Sequence, residues 1–190
     1  LMVIDDLADR PHECDLLLDQ NFGRVVKDYE GLVSKDCKLL VGTKYALLRP
    51  EFSEFRQYSL TRRANSKFKH LLISMGGVDK DNATGQILAS LNDCRLPCDL
   101  RITIVMGLHA PWLEQVRLQA KELLIPTKVL ININNMAQLM SDCDLAIGAA
   151  GTSSWERCCL GLPTLLIVLA FNQLKHAKVL ANSDCALLIG

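Results

Sequence analysis

The sequence predicts an α/β protein in which a parallel sheet carries helices on both faces. Three observations lead there. From Lys69 onward, short apolar runs alternate with amphipathic segments, the pattern of strands joined by helical crossovers. Two of those runs end in small-residue loops, at Gly76-Gly77 and at Gly148-Ala149-Ala150-Gly151. The chain has 190 residues, 49% of them hydrophobic and 22% charged, which suits a sizeable core in one or two domains.

The elements follow in order. Leu1 to Ile4 reads as a strand with Asp5-Asp6 at its carboxyl end, where ligands gather in open α/β sheets. Cys14 to Asp19 is a second short strand, followed by a loop at Gln20 to Gly23. Leu39–Val41 and Tyr45–Leu48 flank Gly42 in a region of mixed character. Arg49-Pro50-Glu51-Phe52 breaks the pattern, and residues 53–67, polar with spaced aromatics, read as a linker. The regular part begins with a strand at 71–75. A helix follows over 83–91, with Asp81 or Asn82 as its cap. A strand at 100–106 ends at Gly107, and a helix runs over 111–124 with proline at its start. Next come a strand at 127–131 and a short helix at 135–141. A strand at 145–147 is followed by a helix over 153–160, and a strand at 165–169 by a helix over 174–181. A last strand falls at 186–189.

Composition excludes several classes. Lys+Arg and Asp+Glu are equal at 21 each, whereas a dedicated nucleic-acid-binding domain carries a basic excess. The basic stretch 62–67 reads as a solvated linker. The eight cysteines form no CxxC pair, and several lie in apolar runs where a free thiol acts as a small hydrophobe. They point to a reducing cytoplasm, with neither a disulfide framework nor a metal site. The most apolar stretch, Leu165 to Phe171, is too short to span a bilayer. The chain opens inside a strand pattern and reads as an N-terminally truncated piece.

The chemistry concentrates in Ile147-Gly148-Ala149-Ala150-Gly151-Thr152-Ser153-Ser154-Trp155-Glu156. A strand, a loop of small residues and a helix form a phosphate cradle, because small residues let backbone N–H groups approach an anion. Glu156, one turn into the helix, can accept hydrogen bonds from a ribose diol. The same residue completes Ser153-x-x-Glu156, a capping-box spacing in which it would bond the Ser153 backbone instead. The loop at Gly76-Gly77 is plain turn chemistry on its own and gains weight from its partner in the same sheet. It is not G-x-G-x-x-G, and the end of the next strand, Val105-Met106-Gly107, offers no acidic residue for a ribose, so an NAD enzyme is not indicated. Asn172 follows a strand and precedes a helix, as an N-cap or a ligand contact. His70 reads as structural, His109 as a loop residue, and His176 sits on a helix. His12 alone lies near a plausible cleft. Trp112 and Trp155 read as packing residues. Asp5, Asp6 and Asp9 read as a solvated loop.

Several stretches together resemble a known family. They are Ile4-Asp5-Asp6-Leu7-Ala8-Asp9-Arg10, Cys14 to Asn21, Leu47-Leu48-Arg49-Pro50-Glu51-Phe52, Ser74 to Asp79 and Gly148 to Arg157. They are similar to the UDP-2,4-diacetamido-2,4,6-trideoxy-β-L-altropyranose hydrolases of pseudaminic acid biosynthesis. The resemblance implies a GT-B fold like that of the glycosyltransferase that builds the peptidoglycan lipid intermediate. Residues 1–58 would be the remnant of a truncated N-terminal α/β domain with its linker. Residues 59–190 would be a Rossmann-like UDP-binding domain.

By the same resemblance, Gly76, Gly77, Gly151, Thr152 and Ser153 face the pyrophosphate, Glu156 binds the ribose and Asn172 lies in the substrate site. The implied general-base histidine would lie upstream of Leu1, so this piece would be inactive alone. Phe171 stands where close relatives often carry an acidic residue before Asn-Gln. The expected reaction is cytoplasmic hydrolysis of a UDP-sugar to free sugar and UDP, with no cofactor, metal, nucleic acid or membrane partner. A GT-B UDP-sugar glycosyltransferase and a non-catalytic UDP-binding module are the alternatives.

Overall fold

A computed structural model describes residues 1–190. The first 41 residues build a small parallel sheet of β1 (Met2–Ile4), β2 (Leu16–Asp19) and β3 (Lys38–Val41), in the order β1-β2-β3. β2 is the middle strand, and Leu17 and Leu18 on it are fully buried. Asp5 and Asp19 follow or end neighbouring strands, so both arrive at the same carboxyl edge. Strand β3 stops at Val41 because Gly42 turns the chain with φ +99°, and Thr43–Tyr45 forms a single 3₁₀ turn. Tyr45–Leu48 is therefore not strand.

α1 (Pro50–Arg63) corrects the linker expected over 53–67. Proline at its first position is preorganised for a helix. Phe52 is fully buried, and Phe55 packs against the same cluster. Further along that face the anchors are polar. The Ser59 hydroxyl donates to the Leu160 carbonyl at 2.7 Å. Arg62 pairs with Asp144 at 2.7 Å. Arg63 donates to the carbonyls of Met140, at 2.7 Å, and Cys143, at the end of a later helix. The face that docks thus reads Phe, Phe, Ser, Arg instead of a leucine stripe, and its periodicity is hidden in polar residues. The expected division at 58/59 falls inside this helix.

The remaining elements build the second sheet. They are β4 (His70–Ser74), α2 (Ala83–Asn92), β5 (Arg101–Met106), α3 (Leu113–Glu122), β6 (Thr127–Ile131), α4 (Met136–Asp142), β7 (Leu145–Ala149), α5 (Ser153–Cys159), β8 (Thr164–Ile167), α6 (Gln173–Asn182) and β9 (Leu187–Leu188). All six strands are parallel, in the order β6-β5-β4-β7-β8-β9. The order reverses between β4 and β7, which is the topological switch point of a doubly wound sheet. Side chains alternate between faces along each strand. Leu71 and Ile73 pack with Ile87 and Val116 under α2 and α3, while Leu72 and Ala146 pack with Phe52, Met140 and Leu160 under α1 and α4. Cys14 and Cys143 are buried among apolar neighbours, as small hydrophobes. No helix is long and apolar enough to cross a membrane.

Candidate functional site

The carboxyl edges of the two sheets face each other across a cavity of about 630 Å³. One wall comes from the small sheet: Asp5, Asp6, Asn21 and Arg24. The other comes from the second sheet: Gly151, Thr152, Trp155, Asn172, Gln173 and His176. Topology explains this wall. The loops after β7 and β8 leave neighbouring parallel strands at the same edge, beside the switch point.

β7 runs on to Ala149, so the loop proper is Ala150–Thr152 and the helix begins at Ser153. Thr152 occupies the cap position and makes no side-chain cap bond. The capping box that Ser153-x-x-Glu156 allows is therefore absent, because Ser153 lies one position too far into the helix. Its hydroxyl instead accepts from Arg157 at 3.1 Å. Glu156 is left half-buried and without a hydrogen bond, and burial pushes its carboxyl up, against the opposing pull of Arg49 and Arg157. Asn172 precedes α6 at the cap position and also makes no cap bond, so its amide is free at the cavity wall. Gln173 is held by the Leu169 N–H, which donates to its Oε1 at 3.0 Å.

Gly76 and Gly77 lie exposed beyond the end of β4, and neither lines the cavity. Gly76 has φ +87°, which glycine adopts freely. A side chain on Gly107 would collide with the Gly77 carbonyl, so these two turns touch backbone to backbone. The N-terminal N–H groups of α2 are already taken. Asp79 accepts from Ala83 at 2.8 Å and Thr84 at 2.9 Å, and Asn82 caps Gly85 at 3.1 Å. An anion near β4 would meet the glycine backbone and not this helix end.

The opposite wall holds a network that the sequence reading missed. Tyr29 is fully buried and donates to Asp19 at 2.8 Å or to Asp5 at 3.0 Å. Arg24 pairs with Asp19 at 2.6 Å. Burial would raise the Asp5 carboxyl, but the N–H of Ala8 and the Tyr29 hydroxyl hold it below the usual range. Asp5 is thus a buried, ionised group at a strand end and not part of a solvated loop. His12 stands 3.6 Å from it and does not line the cavity. The available signal was an aspartate at the end of each of two neighbouring strands.

His176 was also missed as a cavity residue. Its ring meets Trp155 edge-on with centroids 4.5 Å apart, and both ring nitrogens are shut off from solvent without partners. Burial, helped by the nearby Arg157 charge, lowers its pKa to about 4. The unfolded chain takes up this proton near pH 6.5, the folded chain only near 4. Stability from this group is therefore complete above pH 6.5 and falls as pH drops through that window. With partial exposure allowed for, the loss is about 1–2 kcal/mol. His176→Phe, which keeps an aromatic ring against Trp155, should flatten the urea midpoint between pH 4 and 6.5. An undiminished slope would assign that pH dependence to other groups.

Comparisons with known proteins agree with this architecture. The family described as "Glycosyltransferase family 28 C-terminal domain" matches residues 61–190. The UDP-2,4-diacetamido-2,4,6-trideoxy-beta-L-altropyranose hydrolase of Campylobacter jejuni is 31% identical over 173 residues, covering 91% of this chain and 59% of that protein. The spore coat polysaccharide biosynthesis protein SpsG of Bacillus subtilis is 30% identical over 159 residues, covering 83% of this chain and 45% of that one. This chain therefore spans about half the length of these curated relatives. Among solved structures, Acinetobacter baumannii MurG superposes with a TM-score of 0.68 at 19% identity, over 92% of this chain and 52% of that one. The fold is GT-B-like, as the resemblance implied.

Proposed function

The chain belongs to the family of glycosyltransferase family 28 C-terminal domains, and from that premise we propose that its second sheet holds the nucleoside diphosphate of a UDP-sugar. One observation carries this reading. Gly151, Thr152 and Asn172 converge on one cavity beside the sheet's switch point, and the side chains of Thr152 and Asn172 make no cap bond. In this reading Gly151, Thr152 and Ser153 surround the pyrophosphate, and Gly76 and Gly77, which lie outside the cavity, offer backbone only to a phosphate that extends past it toward the end of β4. Glu156 accepts from the ribose hydroxyls, and Asn172 contacts the sugar.

The reaction we assign to the whole protein is hydrolysis of a UDP-linked 2,4-diacetamido-2,4,6-trideoxy sugar in pseudaminic acid biosynthesis. The likeness to the Campylobacter hydrolase along most of this chain supports it. A general base takes a proton from water, the water oxygen bonds to the anomeric carbon as the bond to the diphosphate oxygen breaks, and hydrogen-bond donors stabilise the leaving UDP. Glycosyl transfer from the same donor is the second reading, favoured by the family description itself. Incubating the full-length protein with the UDP-sugar and no acceptor separates them: release of free sugar and UDP means hydrolysis.

Glu156→Gln tests the nucleotide site. Charge-assisted hydrogen bonds are worth about 1.5–3 kcal/mol, so UDP affinity should fall roughly 10- to 150-fold. Because burial disfavours the ionised carboxyl, its contribution to stability is lost as pH rises above the ordinary carboxylate range. The neutral amide should therefore leave the melting temperature at pH 7 unchanged or higher. Calorimetric titration of both proteins with UDP and NAD gives the result. Unchanged UDP affinity would remove Glu156 from the site, and NAD binding tighter than UDP would reject the nucleotide-sugar reading.

A further inference from the structure

We propose that Arg157 is a positioning residue for the diphosphate, acting through the hydroxyl of Ser153, which it orients to donate into the cleft. This inference rests on the nucleotide reading above. Arg157 is among the largest fully buried side chains, with 2% of its surface exposed. All of its hydrogen bonds go to uncharged acceptors: Ser153 Oγ at 3.1 Å, Ser154 Oγ at 3.1 Å and the Ala149 carbonyl at 2.7 Å. Its Nε has no partner. Burial lowers the guanidinium pKa to about 10. Glu156 is near enough to feel its charge but makes no hydrogen bond to it. A buried cation hydrogen-bonded only to neutral groups carries a desolvation penalty that a further anion offsets.

The geometry says where that anion sits. A guanidinium only donates, so Ser153 Oγ must accept from it. A hydroxyl whose lone pair is engaged in this way has its own O–H left to donate. Ser153 is half-exposed and adjoins Thr152, which lines the cavity. The group that best meets such a donor is an acceptor with no proton of its own, which describes a phosphate oxygen.

Gly148 belongs to the same device. A Cβ at that position would stand 2.5 Å from Arg157 Nη1. Glycine at the end of β7 therefore makes room for the guanidinium beneath the loop. The small residue serves the arginine there, while Gly151 borders the open cavity.

The test is a double-mutant cycle on Ser153→Ala and Arg157→Lys, titrated with uridine and with UDP. Lysine keeps the charge but cannot make the forked contacts. Each single variant should lose about ten- to a hundredfold in UDP affinity and nothing in uridine affinity. The double variant should bind UDP no more weakly than the weaker single variant, because both changes break one chain of contacts. Retained uridine binding reports an intact fold. If Arg157→Lys does not fold, Ser153→Ala decides alone: unchanged UDP affinity overturns the proposal. Equal losses for uridine and UDP, or additive losses in the double variant, overturn it too. A wild-type protein that binds neither ligand overturns the nucleotide reading itself, a result distinct from all of these.

Discussion

Asp144→Ala should destabilise the fold by about 2–4 kcal/mol, somewhat below the range for removing one partner of a fully buried ion pair because the Arg62 side chain is 27% exposed. Asp144 precedes β7 and ties three elements together. One oxygen accepts from Arg62 of α1 at 2.7 Å, and the other from the backbone N–H groups of Lys69 at 2.9 Å and His70 at 2.8 Å. Burial would raise its carboxyl pKa, but those two N–H groups and the guanidinium hold it below the usual range. Its contribution is therefore present at neutral pH and is lost as pH falls below the carboxylate range. The alanine variant leaves the buried His70 N–H and the partly buried Lys69 N–H at the start of β4 without their acceptor, as well as the Arg62 charge. Asp144→Asn keeps an acceptor and loses only the charge, so its loss should be smaller, about 1–2 kcal/mol. Urea denaturation measures both, and equal losses would show that the acceptor geometry contributes nothing.

Phe52→Ala should destabilise by about 3–5 kcal/mol, the usual cost of emptying a large buried aromatic site. Phe52 is fully buried in the cluster formed by Leu72, Ala146, Met140 and Leu160, although it comes from the segment that reads as a broken pattern. The same substitution in a solvated linker would be nearly silent. Guanidinium or urea midpoints with an unchanged denaturant slope give the measurement. A loss below 1 kcal/mol, on the order expected for surface sites, would mean that α1 does not close this face of the sheet.

The strands of the second sheet were legible because parallel strands buried on both faces are continuous apolar runs bounded by turns. Thr127–Ile131 was placed to the residue, and the other strands of this sheet to within a few residues at each end. The loop after β7 and Asn172 were legible as cavity residues for a related reason. Their place at strand ends follows from chain order once the sheet is parallel. α1 was not legible, because Ser59, Arg62 and Arg63 dock it through hydrogen bonds to carbonyls and a carboxylate far along the chain.

The candidate site divides in the same way. Residue types and spacing carry the small-residue loop, and Glu156 as either cap or ligand. Setting the cap aside needed the helix start, one residue removed from where the spacing puts it, with the Ser153 hydroxyl taken by Arg157; the ribose contact remains a proposal. His176, Arg157 and the Tyr29 network were invisible for a common cause. Their properties come from burial and from neighbours distant in sequence, such as the pairing of Tyr29 with both Asp5 and Asp19.

By itself, then, the sequence determined the parallel α/β architecture and the edge of the sheet where the cavity opens. Both follow from local apolar periodicity and from the direction of the chain. Only the tertiary structure decided which polar groups are satisfied and which are left free, since a hydrogen bond or a desolvated charge is defined by what packs against it.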